Sequence, residues 1–294
     1  MKARSVSGNR DKRRLWIVYA SLLPIFLYHF TLIIIPSIRT VLLSLTDWNG
    51  LATKKFIGFA NYTELFRDAN FITALANNLK WMALFLTVPI LLGIVIGYIL
   101  SGVKRGRLFF RAVYFLPYVI SAAIAGKIFA AFFNPYFGIN VVFNAAGLQF
   151  LARDWLSPAI SLMSVAFVDM WHWWGFLLVI FLSGLQQIDP MLYESATVEG
   201  ANEIQKFRYI TLPGIKPTMI FIILITMVWS ISTFEYVWVM TRGGPGSELL
   251  STMLYKNAYM KYRAGYAGAI AVVQMAASFA IFAGFGMLRK RLED

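Results

Sequence analysis

The sequence predicts an all-α polytopic membrane protein with six transmembrane helices, and three observations carry that expectation. Hydrophobic residues make up 59% of the 294-residue chain, charged residues only 14%, and mean hydropathy is +0.65. A soluble domain carries about 25% charged residues, so this chain lacks the polar surface that water would require. The apolar residues also fall in six runs, each close to the ~20 residues a helix needs to cross the hydrocarbon core. None of these runs alternates with period two, which excludes a transmembrane β-barrel.

The first run, 16–36, holds no acid, lysine or arginine. It is too long for a signal-peptide core and lacks a small-residue cleavage site, so it reads as a retained span. Runs 81–100 and 265–288 are also free of charge, whereas 112–133 contains Lys127. Run 159–182 contains Asp169 and His172, and run 217–239 contains Glu235. No internal repeat separates the spans, so residues 1–294 read as one transmembrane domain.

Orientation follows from lysine and arginine, which accumulate on the cytoplasmic side. One side would carry Lys2, Arg4, Arg10, Lys12, Arg13 and Arg14, then Lys104, Arg105, Arg107 and Arg111 in the short second loop. The 183–216 loop and the C-terminus add Lys206, Arg208, Lys216, Arg289, Lys290 and Arg291. Both termini are therefore expected in the cytoplasm, with the chain in the cell membrane. This topology accounts for much of the +13 charge, and no basic patch calls for nucleic acid. The outer loops are basic too, which fits either an anionic substrate or the docking of an acidic protein.

Composition excludes several functions. Cysteine is absent, so disulfides, thiol nucleophiles and thiolate metal sites are ruled out. His29 and His172 both lie in apolar stretches, so neither suggests a metal cluster. No clustered set of catalytic side chains points to an enzyme. No G-x4-GK[ST] phosphate loop occurs, so no nucleotide cofactor is expected on this polypeptide.

The 183–216 loop differs from the others. Asp189-Pro190 reads as a helix start, with Asp as N-cap and Pro in the first turn. Gly200 should break that helix, Asn202 with Gln205 should cap a second, and Pro213 should end it. The product is a helix–turn–helix outside the membrane. It reads either as a docking surface or as a solvated interfacial hairpin.

Here the chain resembles the permease subunits of ABC importers. Glu194-Ser195-Ala196, then Gly200, then Ile210-Thr211-Leu212-Pro213 matches their EAA loop, with Ser195 in place of an alanine. Gly58-Phe59-x-Asn61-Tyr62, Phe115-Leu116-Pro117, Asn134-Pro135, Trp171-x3-Gly175 and Thr241-Arg242-Gly243-Gly244-Pro245 resemble the sugar-transport branch, six-span first-permease subgroup. The resemblance implies a carbohydrate substrate, with glycerol phosphate or an acidic sugar as alternatives. It also implies three partners: a second homologous permease, a cytoplasmic ATPase dimer that binds ATP and Mg, and an extracytoplasmic solute-binding protein. Glu194, Ser195, Ala196, Gly200, Ala201, Ile210, Leu212 and Pro213 would then couple the spans to the ATPase.

Charges inside the spans raise a second question. Asp169 and His172 share a helix face, and Asp169 lies about 15 Å deep at 1.5 Å per residue. An ionised carboxylate there costs several kcal/mol (roughly) unless paired or wet. Asp169, His172 and Trp173 therefore line a substrate path or form a hydrogen-bonded clamp in the bundle. Lys127 and Glu235, roughly 9 and 6 Å deep, either pair or let Lys127 snorkel to the interface. A stand-alone secondary transporter using Asp169 and Glu235 as ion sites is the competing class. Gly93-x3-Gly97 and Ala276-x3-Ala280-x3-Gly284 are small-residue ladders, expected to pack within the chain or against a second permease.

Overall fold

Each apolar run of the sequence lies in helix, but the bounds and continuity of the helices differ from the hydropathy reading. The computed structural model describes residues 5–51, 53–103 and 105–293. Lys2, Arg4 and Lys104, counted above toward the cytoplasmic charge, lie outside the described residues. Among the described residues the backbone is helix and connecting loop, with one isolated antiparallel bridge between Thr46 and Phe56.

Among the described residues, five helices are long and apolar enough to cross a membrane, and a bent pair makes a sixth span if its two halves are taken together. α1 (Val18–Ser44) runs past Pro36, where the sequence suggested an end. Proline has no amide to donate, and a π turn over Phe30–Ile34 absorbs the defect: Ile35 N–H reaches back five residues to Phe30 O. α2 (Ala69–Gly102) begins well before the expected position 81. Its first turns carry Asn70, Asn77, Asn78 and Lys80, which hydropathy assigned to a loop. Yet Asn77 and Asn78 are buried, so these turns belong to the bundle.

The third run is not one straight helix. α3 (Arg107–Val119) and α4 (Ala122–Phe132) meet at a bend of 86° around Ile120-Ser121. Pro117 precedes the break, and the Ile120 amide still finds Pro117 O. α5 (Ser161–Leu185) follows, then α6 (Pro190–Val198) and α7 (Glu203–Lys206) in the 183–216 loop. The fifth run is broken as well. α8 (Lys216–Ser232) stops at Thr233-Phe234, and α9 (Glu235–Thr241) resumes. α10 (Ala264–Glu293) is the last helix.

The chain divides into two compact units. The smaller comprises the residues up to Leu65 with Asn257–Val272. In it Asn61 closes the end of α1, donating to Ser44 O and Thr46 O at 2.8 Å each, and Tyr62 OH shares a 2.7 Å hydrogen bond with Ser44 Oγ. The positive φ of Gly58 (+58°) starts this turn, so the Gly58-Phe59-x-Asn61-Tyr62 motif is a device for ending a helix. Arg263 adds a carboxylate contact to Glu64 at 2.6 Å. Of the residues along α1, Ser44 is buried, and most of its apolar side chains are exposed as a lipid-facing surface would be.

The larger unit comprises Phe66–Lys256 and the residues from Val273 onward. α5 is its centre: Val165, Ala166, Val168, Leu177, Leu178 and Phe181 have no exposed surface. Helices come close to α5 where small residues allow it. Gly93 and Gly97 of α2 face Phe181, with ideal Cβ positions 3.1 and 3.4 Å from its side chain. A side chain on Gly175 of α5 would overlap the Tyr114 carbonyl of α3. The Gly93-x3-Gly97 ladder is thus consumed inside the chain. Ala276, Ala280 and Gly284 are exposed, and a Cβ on Gly284 meets nothing within 4 Å.

This packing generates a direct test. Gly175→Val should force α3 away from α5 and lower stability by about 1–3 kcal/mol. Gly284→Ala should leave stability unchanged. Melting of the purified chain in detergent compares the two, and equal melting temperatures would refute the packing account.

Candidate functional site

The 183–216 loop folds as two short helices closed on each other. Asp189 accepts the Met191 amide at 2.9 Å and so caps α6, with Pro190 supplying a first-turn φ at no cost in hydrogen bonds. α6 ends because Gly200 takes φ +80°. The Ala201 amide then reaches Ala196 O at 2.9 Å, and the Gly200 amide reaches Thr197 O at 3.1 Å. This is a Schellman end, which satisfies carbonyls the helix would otherwise leave open. Ala196, Gly200 and Ala201 are therefore one structural element, the turn itself.

The expected capping box is present. Asn202 Oδ1 accepts the Gln205 amide at 2.9 Å, and Gln205 Oε1 accepts the Asn202 amide at 2.8 Å. The second helix does not stop at Pro213, however. A π turn over Phe207–Thr211 lets the Leu212 amide reach Phe207 O, and helix continues over Leu212–Gly214. Pro213 removes a donor, and the π turn reroutes the neighbouring one, so the loop enters α8 almost without interruption. Tyr193 OH and Thr211 Oγ1 lie 2.9 Å apart and tie the two halves together. Ile188 against Gly214, and Thr218 against Gly184, close the base.

Between the halves is a groove of about 440 Å³. Ser195, Ala196, Gly200, Ala201 and Ile210 line it with Leu192. Glu194 is exposed beside it, Leu212 is half-buried and Pro213 is exposed. The serine replacing alanine at position 195 thus faces the groove and fits it. Glu203 belongs to the same loop, outside the helices long enough to span a membrane. Lys206 Nζ, then Tyr98 OH, donate to its carboxylate at 2.9 Å each and keep it below the usual carboxylate range.

The residues expected in the path lie on α4, α5 and α9. Asp169 is fully buried, and neither of its oxygens has a hydrogen-bond partner among the described residues. Glu235 and Tyr236 lie close enough to interact with it electrostatically. His172 is half-buried; its Nε2 lies 3.0 Å from Ile120 O, at the α3–α4 break, and its ring centroid is 5.6 Å from that of Tyr236. Trp173 is buried and stacks on Trp229 at 4.8 Å, while Trp171 meets Phe129 and Trp174 meets Tyr114, both at 5.2 Å. Glu235 and Lys127 are exposed, and among the described residues they form no ion pair with each other. Gly126, beside Lys127, packs against Val239 of α9.

Sequence reasoning missed the groups that organise this region. Asn78 donates to Ser230 O at 2.9 Å and Ile231 O at 3.4 Å, and its Oδ1 accepts the Leu250 amide at 2.8 Å. Gln274 donates to the same Ile231 O at 2.8 Å and to Ser251 Oγ at 3.0 Å. In an unbroken helix those carbonyls would accept from the amides of Phe234 and Glu235. Adjacent asparagines beside an apolar run, and a lone glutamine inside another, were the signals available.

The comparisons with known proteins agree with this architecture. The family described as "Binding-protein-dependent transport system inner membrane component" matches residues 89–293. The probable ABC transporter permease protein YurN of Bacillus subtilis is 36% identical, over 94% of this chain and 95% of its own. The multiple sugar-binding transport system permease protein MsmF of Streptococcus mutans is 31% identical, over 81% and 83%. Among solved structures, a chain of a bacterial alginate ABC transporter, in complex with alginate pentasaccharide-bound periplasmic protein, superposes with a TM-score of 0.86. It is 25% identical, over 96% of this chain and 97% of that one.

Proposed function

The chain belongs to the family of inner membrane components of binding-protein-dependent transport systems, and on that premise we propose that it forms half of the translocation path of an ATP-driven carbohydrate importer. A second, homologous permease supplies the other half. The observation that carries the coupling role is the groove lined by Ser195, Ala196, Gly200, Ala201 and Ile210, with Glu194 exposed beside it. A cytoplasmic ATPase dimer docks there and holds the ATP and Mg that this chain does not bind. Leu212 and Pro213 carry the movement into α8 through a helical connection interrupted at Ile215 alone. A solute-binding protein delivers substrate on the opposite face.

The substrate class is supported by the relatives, whose names specify multiple sugars and alginate. The path residues are Lys127 and Glu235, both exposed, half-buried His172, and buried Asp169 and Trp173. Exposed Lys127 and the likeness to an alginate importer favour an acidic sugar as the second reading. The 183–216 loop and both termini face the cytoplasm of a cell whose inner membrane holds the complex.

Three tests follow from this reading. Glu194→Lys reverses a docking charge, and Gly200→Pro imposes φ near −65° where +80° is needed. Both variants should insert normally, and uptake should fall by about tenfold or more, as expected when a docked charge contact is inverted. Wild-type uptake in both would remove the coupling assignment.

Orientation is read by labelling in intact cells and inverted vesicles. The cysteine of Arg105→Cys should react only from the cytoplasm, and that of Lys54→Cys only from outside; the reverse pattern would invert the topology.

Asp169→Asn keeps the shape of the side chain while weakening it as an acceptor. If Asp169 serves the path, uptake per assembled complex in proteoliposomes changes in rate or selectivity. An unchanged normalised uptake would leave Asp169 a purely structural residue.

A further inference from the structure

Helix α2 touches two parts of the larger unit that the chain also joins through α8: the 183–216 loop and the break in span five. Near its C-terminal end, Tyr98 OH donates to Glu203 Oε2 at 2.9 Å, and its ring packs edge-on against Phe207 at 5.1 Å. Lys206 Nζ holds the other carboxylate oxygen at 2.9 Å, and its side chain is only 12% exposed. Glu203 itself is 73% exposed, so this contact stands at the surface of the loop. Near the other end, Asn77 donates to Glu248 O at 3.0 Å, and Asn78 makes the three buried hydrogen bonds described above. From Asn78 to Tyr98 is about 30 Å of helix at 1.5 Å per residue. α2 is helical across that distance, with Pro89 inside it removing one backbone donor.

The break in span five is an element with two possible states. The carbonyls of Ser230 and Ile231 can accept from the amides of Phe234 and Glu235, giving a continuous helix. They can instead accept from Asn78, as they do here, which leaves Thr233-Phe234 unwound. Exchange between the two sets conserves hydrogen bonds, as the hydrocarbon region requires. Withdrawing the Asn78 amide by a few ångströms (roughly a hydrogen-bond length) frees the Ser230 carbonyl for the Phe234 amide, while Gln274 still holds Ile231 O.

We propose that α2 is a transmission rod with two positioning residues: Tyr98 takes up movement of the 183–216 loop through Glu203 and Phe207, and Asn78 delivers it to the break in span five. Movement of the loop then reaches the bundle by a third route, besides its covalent links to α5 and α8. At the break it alters the setting of α9, and with it Glu235 and Tyr236. The proposal rests on the coupling reading above only for what moves the loop.

The absence of cysteine makes the chain ready for a single reporter. Ser232→Cys places a thiol on an exposed position beside the break. The chain is expressed with its own transport partners, and maleimide labelling is timed in membranes without nucleotide. Tyr98→Phe keeps the ring on Phe207 and removes the hydroxyl; it should change the labelling rate by about threefold. Asn78→Leu should change it as well, and in that background Tyr98→Phe should have no further effect. Val141→Cys, on the helix Ile139–Ala145, should label at an unchanged rate throughout, which separates transmission from general loosening.

The proposal is overturned if Tyr98→Phe leaves the rate at position 232 unchanged. It is equally overturned if Tyr98→Phe acts to the same extent with Asn78 intact and replaced, or moves the position 141 reporter as much as the position 232 one. Should Asn78→Leu fail to accumulate, Asn78→Asp takes its place, since it keeps the acceptor for the Leu250 amide and loses both donors. The labelling needs no ATP, so wild-type uptake by Glu194→Lys would remove the docking assignment and leave this readout standing.

Discussion

The side-chain amide of Asn78 is the interaction on which the working half of the bundle depends. A helix that stops inside a membrane exposes carbonyls with no water to satisfy them, and each costs several kcal/mol (roughly) if left open. Asn78 satisfies two of these at the end of α8, and Gln274 shares one of them. The same Asn78 accepts the Leu250 amide and so binds the segment beyond α9 to α2. With these bonds in place, span five can be broken without loss, and α9 can turn Tyr236 inward toward Asp169 and leave Glu235 outside. Without them, a continuous helix would be the cheaper solution.

Proline defects are handled by a single device in two places. Pro36 and Pro213 each follow a π turn, and in each the residue just before proline donates five positions back. In α1 the device lets the helix continue over an internal proline. In the 183–216 loop it carries helix past Pro213 as far as Gly214, one residue short of α8. Gly200 does the opposite work on the other side of the turn, where its positive φ and the Schellman bonds set the corner. Helical arms and one defined corner are what the Glu194-to-Pro213 spacing encodes physically.

Small residues decide which helix faces are used inside the chain. Gly93 and Gly97 bring α2 onto Phe181, and Gly175 brings α3 onto α5. The Ala276, Ala280 and Gly284 stripe has the same spacing and remains open. Spacing alone could not separate these cases, because both ladders permit close approach and only the position of neighbouring helices shows which one is filled.

What the sequence by itself determined was the class, the six apolar runs and the local chemistry of the 183–216 loop. Those features depend on composition, or on residues within a few positions of each other: Asp189 before Pro190, Gly200 at the corner, Asn202 with Gln205. The tertiary structure alone decided where spans three and five break, how far α2 extends, and how the intramembrane charges are disposed. Asn77 and Asn78 look like loop residues because hydropathy scores polarity and cannot see the carbonyls, more than 150 positions away in Asn78's case, that neutralise it. Asp169 and Glu235 look alike in sequence, an acid within an apolar run, yet one is sealed inside and the other exposed. Their difference is set by which helices pack around them, a long-range property that no local pattern carries.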